Sequence, residues 1–335
     1  MIKAVFMSQG CNRELLDRVY APESIKRIEQ YALVYPEAVE KDNLTAHRED
    51  LKDVEVVFAT WGMPTLSETE IQDYLPNLKA VFYAAGSVQY FARPFLKKGI
   101  RVVSAWAANA VPVAEYTLAQ ILLANKGFFQ NALKAKKDYA AARGYSEIFA
   151  GNYGVKVGIL GAGMIGTKLI ELLKPFQLEV LVYDPYLSDD RAEELGVRKA
   201  SLSEIFSQCQ TISNHIANLP TTVGMLHGEH FDRMLPNATF INTGRGAQVV
   251  EEDLIKALKA VPSRTAILDV TDPEPPAPDS ELYKMENVIL SSHIAGSMGR
   301  EVERMGSYMV EEFVRYIRGE ALKYNVTMEM LETMA

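Results

Sequence analysis

Arg245, Glu274 and His293 are the residues of this 335-residue chain whose types and settings could do chemistry together. Each follows an apolar run that reads as a strand: Ile241-Asn-Thr-Gly-Arg245-Gly246, Leu268-Asp269-Val-Thr-Asp-Pro-Glu274-Pro275 and Ser291-Ser-His293-Ile-Ala-Gly296. In a parallel sheet that puts all three at the carboxyl edge, where ligands bind. The combination suits reduction of a carbonyl group or the reverse oxidation. Hydride addition to a ketone builds negative charge on oxygen. A fixed guanidinium stabilises that charge, and its planar fork also fits a carboxylate. Histidine can complete the alcohol with a proton near neutral pH. A partner carboxylate keeps an imidazole protonated to higher pH. Singly, these residues read as a solvated loop arginine, a surface acid among prolines and a structural histidine; the chemistry resides in the set.

Hydride chemistry needs a carrier. Lys156-Val-Gly-Ile-Leu-Gly161-Ala-Gly163-Met164-Ile165-Gly166 is a G-x-G-x-x-G placed directly after an apolar strand and before a helical pattern. Gly161 permits the tight turn, Gly163 lets backbone approach a pyrophosphate, and Gly166 lets helix and strand pack closely. Met164 and Ile165 open the helix whose free N–H groups and dipole favour an anion. A second strand, Glu179–Tyr183, ends in Asp184, 18 residues after Gly166 and near the spacing of a ribose-binding carboxylate. Such an acid accepts ribose hydroxyls and repels a 2′-phosphate, so NAD is expected over NADP. The plain alternative for Asp184 is a turn aspartate before Pro185.

These residues must be positioned by repeated strand–helix units. Strands are expected at Lys3–Met7, Val54–Ala59, Leu78–Ala84, Arg101–Ser104, Lys156–Leu160, Glu179–Tyr183, Thr211–Asn214, Ala238–Asn242, Ala266–Val270 and Val288–Ser291. Helices are expected at Arg13–Tyr20, Ser24–Ala32, Glu68–Tyr74, Tyr90–Lys98 and Glu301–Arg318, with a long one starting around Pro112. Alternating apolar runs and helical patterns predict an α/β protein with parallel sheets. Ser104–Asn109 and Ala295–Arg300 read as domain crossings. The expectation is two Rossmann-like or flavodoxin-like domains. A cofactor domain (residues 105–297) is inserted in a discontinuous substrate domain (residues 1–104 and 298–335).

Composition narrows the classes. The chain is 48% hydrophobic and 23% charged, the balance of a soluble globular protein. A formal charge of −8 argues against nucleic acid and anionic membranes as partners. No stretch approaches the roughly 20 apolar residues of a membrane helix. Cys11 and Cys209 form no redox or zinc spacing, so a reducing cytoplasm is expected and no metal site.

Taken together, these motifs resemble the D-isomer-specific 2-hydroxyacid dehydrogenases over nearly the whole length. Pro76-Asn-Leu-Lys79, Val113-Ala-Glu115-Tyr-Thr and the final Gly319-Glu-Ala-Leu-Lys-Tyr-Asn325-Val326 share in the likeness. The resemblance implies that Arg245 binds the substrate carboxylate and polarises the C2 oxygen. It implies that His293 is the acid–base residue, supported by Glu274, and that Asp269 holds the nicotinamide carboxamide. His215 and Thr243 would lie against the cofactor, His215 in a positioning role. The loop Ala85-Gly86-Ser87-Val88 would cradle the substrate carboxylate, and Trp61 with Met63 would wall the substrate's tail. A homodimer through the cofactor domain is also implied. Ala217, Leu219 and Met298 depart from the residues common in the family. No Arg or Lys lies between Val54 and Asn77, which speaks against a phosphorylated substrate. The alternative from another class is a dinucleotide-sensing, corepressor-like regulator of the same fold. His227 and His230 are expected at the exposed start of a helix.

Overall fold

The computed structural model describes residues 1–334; residue 335, at the end of the expected outer domain, lies outside them. The chain divides into two compact units: Met1–Asn109 together with the chain from Ser297 onward, and Ala110–Gly296.

In the first unit, strands β1 (Ile2–Met7), β2 (Ala32–Val34), β3 (Val56–Ala59), β4 (Ala80–Tyr83), β5 (Arg101–Ser104) and a late strand, Asn325–Val326, form one sheet. From one edge the order is β2-β1-β3-β4-β5, all parallel, the flavodoxin-like arrangement. Asn325–Val326 then adds to β5 antiparallel, a departure from the all-parallel expectation. Both faces are covered, and the sequence alternation divides between them. Val5, Met7, Val57, Val81 and Tyr83 point into one core; Ala4, Phe6, Phe58 and Phe82 point into the other. Double burial explains why these strands read as unbroken apolar runs.

The second unit holds β6 (Val155–Leu160), β7 (Leu178–Tyr183), β8 (Arg198–Lys199), β9 (Thr211–Asn214), β10 (Thr239–Asn242), β11 (Thr265–Leu268) and β12 (Val288–Leu290). Their order is β8-β7-β6-β9-β10-β11-β12, all parallel. The order reverses between β6 and β9, which creates a crevice at their carboxyl ends. The final strand, in the other sheet, is numbered β13 (Asn325–Val326).

The helix Glu68–Tyr74 begins where expected, because Ser67 and Glu70 form a reciprocal capping box. Two other expectations fail. The long helix expected from about Pro112 runs Trp106–Ala124 with Pro112 inside it; the division between the units, at Asn109/Ala110, falls at the end of the expected Ser104–Asn109 crossing. Proline suggested a first turn at 112, but the alanine-rich Trp106–Ala110 carries the helix further back. The expected helix Ser24–Ala32 is Pro22–Glu29, and Ala32 opens β2, where it pairs with Ile2. Tertiary pairing with β1 overrides the weak local preference there. The helices Phe128–Lys137 and Tyr139–Tyr145 were not anticipated. Among the described residues, no helix is long and apolar enough to cross a membrane.

Candidate active site

The second unit carries most of the candidate residues at the carboxyl ends of β6, β7, β9, β10, β11 and β12. The glycine loop leaves β6 and enters the helix Met164–Leu173. Gly161 sits at φ +93°, and an added Cβ would lie 2.8 Å from the carbonyl oxygen of His215. Gly166 abuts the same loop: a Cβ there would fall 2.0 Å from the Gly161 oxygen. Gly163 is different, since a Cβ would meet nothing within 4 Å. That open ground lies next to the first-turn N–H groups of Met164, Ile165 and Gly166, which have no carbonyl on their own helix to reach. The loop therefore fits a pyrophosphate.

Asp184 closes β7. Its Oδ2 accepts from Ala162 N–H at 2.7 Å and its Oδ1 from Tyr186 N–H at 2.8 Å. It is thus both a turn aspartate and a brace for the glycine loop, with lone pairs left for ribose hydroxyls.

His293 Nδ1 lies 2.7 Å from Glu274 Oε1, and both side chains are about half exposed. The contact leaves Nε2 free to face a ligand. His293 has φ +57°, a left-handed backbone uncommon outside glycine. Arg245 belongs to the same cluster. Burial pushes its guanidinium pKa down and the Glu274 charge pushes it back up; arginine stays charged throughout. Arg245, Glu274 and His293 thus follow β10, β11 and β12 at the carboxyl edge, with Glu274 and His293 in direct contact.

Asp269 follows β11 at the carboxyl edge. Its buried carboxylate turns to the loop after β12: Oδ1 accepts from Ser291 Oγ (2.7 Å) and Ile294 N–H (2.8 Å), and Oδ2 from Ala295 N–H (2.9 Å). Three of about four acceptor directions are committed to the protein, which leaves at most one for a carboxamide. His215 lies where β9 ends, with Nε2 2.9 Å from Ser213 Oγ and Nδ1 3.4 Å from Thr243 Oγ1. Burial pushes its pKa down to about 3, so it is neutral at physiological pH and unsuited to proton donation. His227 and His230 are half-buried rather than exposed, and His230 packs on Phe206.

One feature of the site escaped sequence reasoning. Asn214 and Asn242 face each other in register at the ends of β9 and β10. Asn214 Nδ2 donates to Asn242 Oδ1 (3.1 Å) and Gln248 Oε1 (2.6 Å), while Asn242 Nδ2 donates to the Arg245 carbonyl (3.0 Å). This buried amide network shapes the turn that presents Arg245. The signal was available: two asparagines ending adjacent apolar strands.

The remaining candidates belong to the first unit. Gly86 and Ser87 follow β4. Ser104 Oγ lies 2.8 and 2.7 Å from the carbonyls of Ala85 and Gly86, which draws those oxygens back. Among the described residues, the N–H groups of Gly86 and Ser87 have no acceptor, as an anion cradle requires. Trp61 follows β3 and is exposed, but Met63 is buried in the core. Gly62, at φ +83°, turns the chain between them, so the expected two-residue wall reduces to Trp61. Among the described residues, no group of three or more His, Cys, Asp or Glu is arranged to hold a metal.

Residues 118–295 match the family model described as D-isomer specific 2-hydroxyacid dehydrogenase, NAD binding domain. The chain belongs to that family. Its cofactor is NAD, which the glycine loop and Asp184 fit. Among curated proteins, the chain is 28% identical to an Archaeoglobus fulgidus D-3-phosphoglycerate dehydrogenase over 80% of its own length and 51% of that protein. It thus spans about half of that relative. It is also 28% identical to a Korarchaeum cryptofilum glyoxylate reductase over 85% of its length and 86% of that protein. Its fold matches a Rhizobium etli phosphoglycerate oxidoreductase structure with a TM-score of 0.81 at 22% identity, covering 99% of this chain and 100% of that one.

Proposed function

We propose that this protein is an NAD-dependent 2-hydroxyacid dehydrogenase, interconverting a small 2-oxo carboxylate and its 2-hydroxy acid. The observation that carries the reading is the 2.7 Å contact between His293 Nδ1 and Glu274 Oε1 beside the partly buried Arg245.

Bound nicotinamide supplies hydride to C2 of the substrate in reduction and accepts it in oxidation. Arg245 binds the substrate carboxylate and stabilises the charge that develops on the C2 oxygen. His293 gives that oxygen a proton from Nε2 and takes it back in the reverse direction. Glu274 accepts the Nδ1 hydrogen bond, which fixes the ring orientation and leaves Nε2 for the substrate. Within the first unit, the free backbone N–H groups of Gly86 and Ser87 suit a carboxylate, and Trp61 offers exposed apolar surface. Met164, Ile165 and Gly166 would hold the pyrophosphate and Asp184 the adenosine ribose. His215 and Thr243 would line the nicotinamide side, with Asp269 able to offer one acceptor.

Two of the relatives bear names built on phosphoglycerate, yet an unphosphorylated substrate is favoured here. The loop after β3 has no cation of its own. Lys41 reaches it, but its ammonium is bound to the Thr65 carbonyl and to Glu70. A panel of 2-oxo acids with NADH, read by loss of nicotinamide absorbance, tests the function. It should include glyoxylate, short alkyl 2-oxo acids and a phosphorylated three-carbon 2-oxo acid. Turnover of an unphosphorylated member is expected; activity with none would defeat the enzyme reading and return the corepressor-like alternative. A homodimer is proposed through the second unit, where Leu123, Phe128, Leu133, Tyr139, Ile148 and Tyr153 are exposed. Light scattering on the purified protein decides that point. The unpaired Cys11 and Cys209 support a reducing, cytoplasmic setting.

A further inference from the structure

His293 stands on a loop with little to hold it. Ser292, His293 and Ile294 are exposed, and of the residues between β12 and Gly296 only Ala295 is buried. Such a segment has few apolar contacts and belongs to the locally unstable part of a fold. It also carries a histidine in a left-handed backbone, which persists only when its surroundings enforce it.

The enforcement comes from Asp269. Its backbone carbonyl accepts from His293 N–H at 2.9 Å. Its carboxylate accepts from Ile294 N–H, Ala295 N–H and Ser291 Oγ–H, so the loop is gripped on both sides of the histidine. Among the described residues no cation pairs with this buried carboxylate, so these hydrogen-bond donors alone offset its charge. Loss of one donor should therefore loosen the whole grip.

The proton order behind Asp269 can be assigned. An ionised carboxylate only accepts, so the Ser291 hydroxyl hydrogen points at Asp269. Tyr116 OH lies 3.1 Å from Ser291 Oγ. With the serine hydrogen committed, the tyrosine must be the donor. The result is a directed chain, Tyr116 O–H to Ser291 Oγ–H to Asp269, in which each bond polarises the next. It ties the helix Trp106–Ala124 to the loop that presents the histidine.

We propose that Ser291 and Tyr116 are positioning residues for His293, acting through Asp269; this rests on the dehydrogenase reading above. Neither touches the reacting atoms. They keep the Ser291–Ala295 loop in the conformation that lays Nδ1 on Glu274 and leaves Nε2 toward the substrate.

The test uses the full chain with Tyr116→Phe, Ser291→Ala and Ser291→Thr. In Ser291→Ala and Tyr116→Phe, amide hydrogen exchange at His293, Ile294 and Ala295 should accelerate about 10-fold or more with the melting temperature nearly unchanged. Turnover with the best 2-oxo acid should fall roughly 3- to 30-fold while the KM for NADH stays within about twofold. Ser291→Thr, which keeps the hydroxyl, should restore both exchange and turnover. The double variant should be little worse than either single one, because both break one chain. Unchanged exchange in Ser291→Ala overturns the proposal. So does faster exchange with unaltered turnover, which would leave a loop fastener without bearing on His293. If the wild type turns over no 2-oxo acid, the function fails while the exchange measurement still judges the chain of hydrogen bonds.

Discussion

His293 meets Glu274 at 2.7 Å through Nδ1, the nitrogen that faces away from any substrate bound at Nε2. The contact assigns different work to the two residues, and substitutions should separate them. His293→Ala removes the proton donor, and turnover should drop by roughly 10²–10⁴-fold with NADH affinity nearly intact. Glu274→Gln retains a hydrogen-bonding side chain but loses the carboxylate that accepts from Nδ1, so turnover should fall roughly 10-fold or more with NADH affinity nearly intact. Wild-type turnover in Glu274→Gln removes Glu274 from the mechanism.

The glycine loop offers a sharper test than its motif. Gly166→Ala sets a methyl group 2.0 Å from the Gly161 oxygen and should destabilise the protein by about 1–3 kcal/mol. Gly163→Ala meets nothing within 4 Å, so stability should hold. Its methyl group would instead occupy the ground proposed for the pyrophosphate, and NADH affinity should fall at least tenfold. Thermal melts and NADH titrations of both variants give the answer. Normal NADH binding by Gly163→Ala would move the pyrophosphate elsewhere.

Asp184 should discriminate against NADPH, whose 2′-phosphate it would repel. Because Asp184 also accepts from Ala162 and Tyr186 N–H, Asp184→Ala disturbs the loop as well as the selectivity. Asp184→Asn keeps one acceptor oxygen and removes the charge, so it is the cleaner variant. The ratio of kcat/KM with NADH to that with NADPH should shrink in Asp184→Asn; equal wild-type efficiency with both cofactors contradicts the role.

Much of this was legible in the chain. Apolar runs with Arg245, Glu274 and His293 after them placed these residues at one edge of the sheet, because a parallel sheet puts every strand's carboxyl end on one side. What stayed hidden depended on contacts between distant segments. Asp269 looked like a ligand for the cofactor, but its carboxylate is largely used by residues 22 to 26 positions later. Met63 looked like a pocket wall until the turn at Gly62 directed it into the core. Pro112 misplaced a helix start because a proline signal was weighed above the alanine-rich residues before it.

His215 carries a stability prediction. Burial depresses its folded pKa to about 3, against about 6.5 for an unperturbed histidine. As pH falls through 6.5 the unfolded chain takes up a proton that the folded one refuses until about pH 3. Stability is therefore lost progressively between those values as the solution is acidified. His215→Gln abolishes this contribution. Going from pH 7 to pH 5, wild type should lose about 2 kcal/mol more than the variant, measured by urea unfolding. Parallel losses in the two proteins would mean that His215 titrates freely in the folded state.

Arg245 is proposed to act twice, on the substrate carboxylate and on the reacting oxygen. Its Nη1 donates to the Gly244 carbonyl at 2.7 Å, which leaves the rest of the guanidinium fork for a ligand. The turn beneath it is fixed by the Asn214–Asn242–Gln248 amides, so the fork is held before substrate arrives. Arg245→Lys preserves charge and loses the planar, bidentate geometry. Both KM for the 2-oxo acid and kcat should worsen, because one contact exists in the ground state and the other strengthens in the transition state. NADH affinity should change little, since the Gly161–Gly166 loop holds the pyrophosphate. Asn242→Ala should reproduce part of the loss without touching the charge, because it frees the Arg245 carbonyl from its donor. If Arg245→Lys turns over as fast as wild type at the same KM, the arginine is a solvated loop residue and the substrate does not bind at the end of β10.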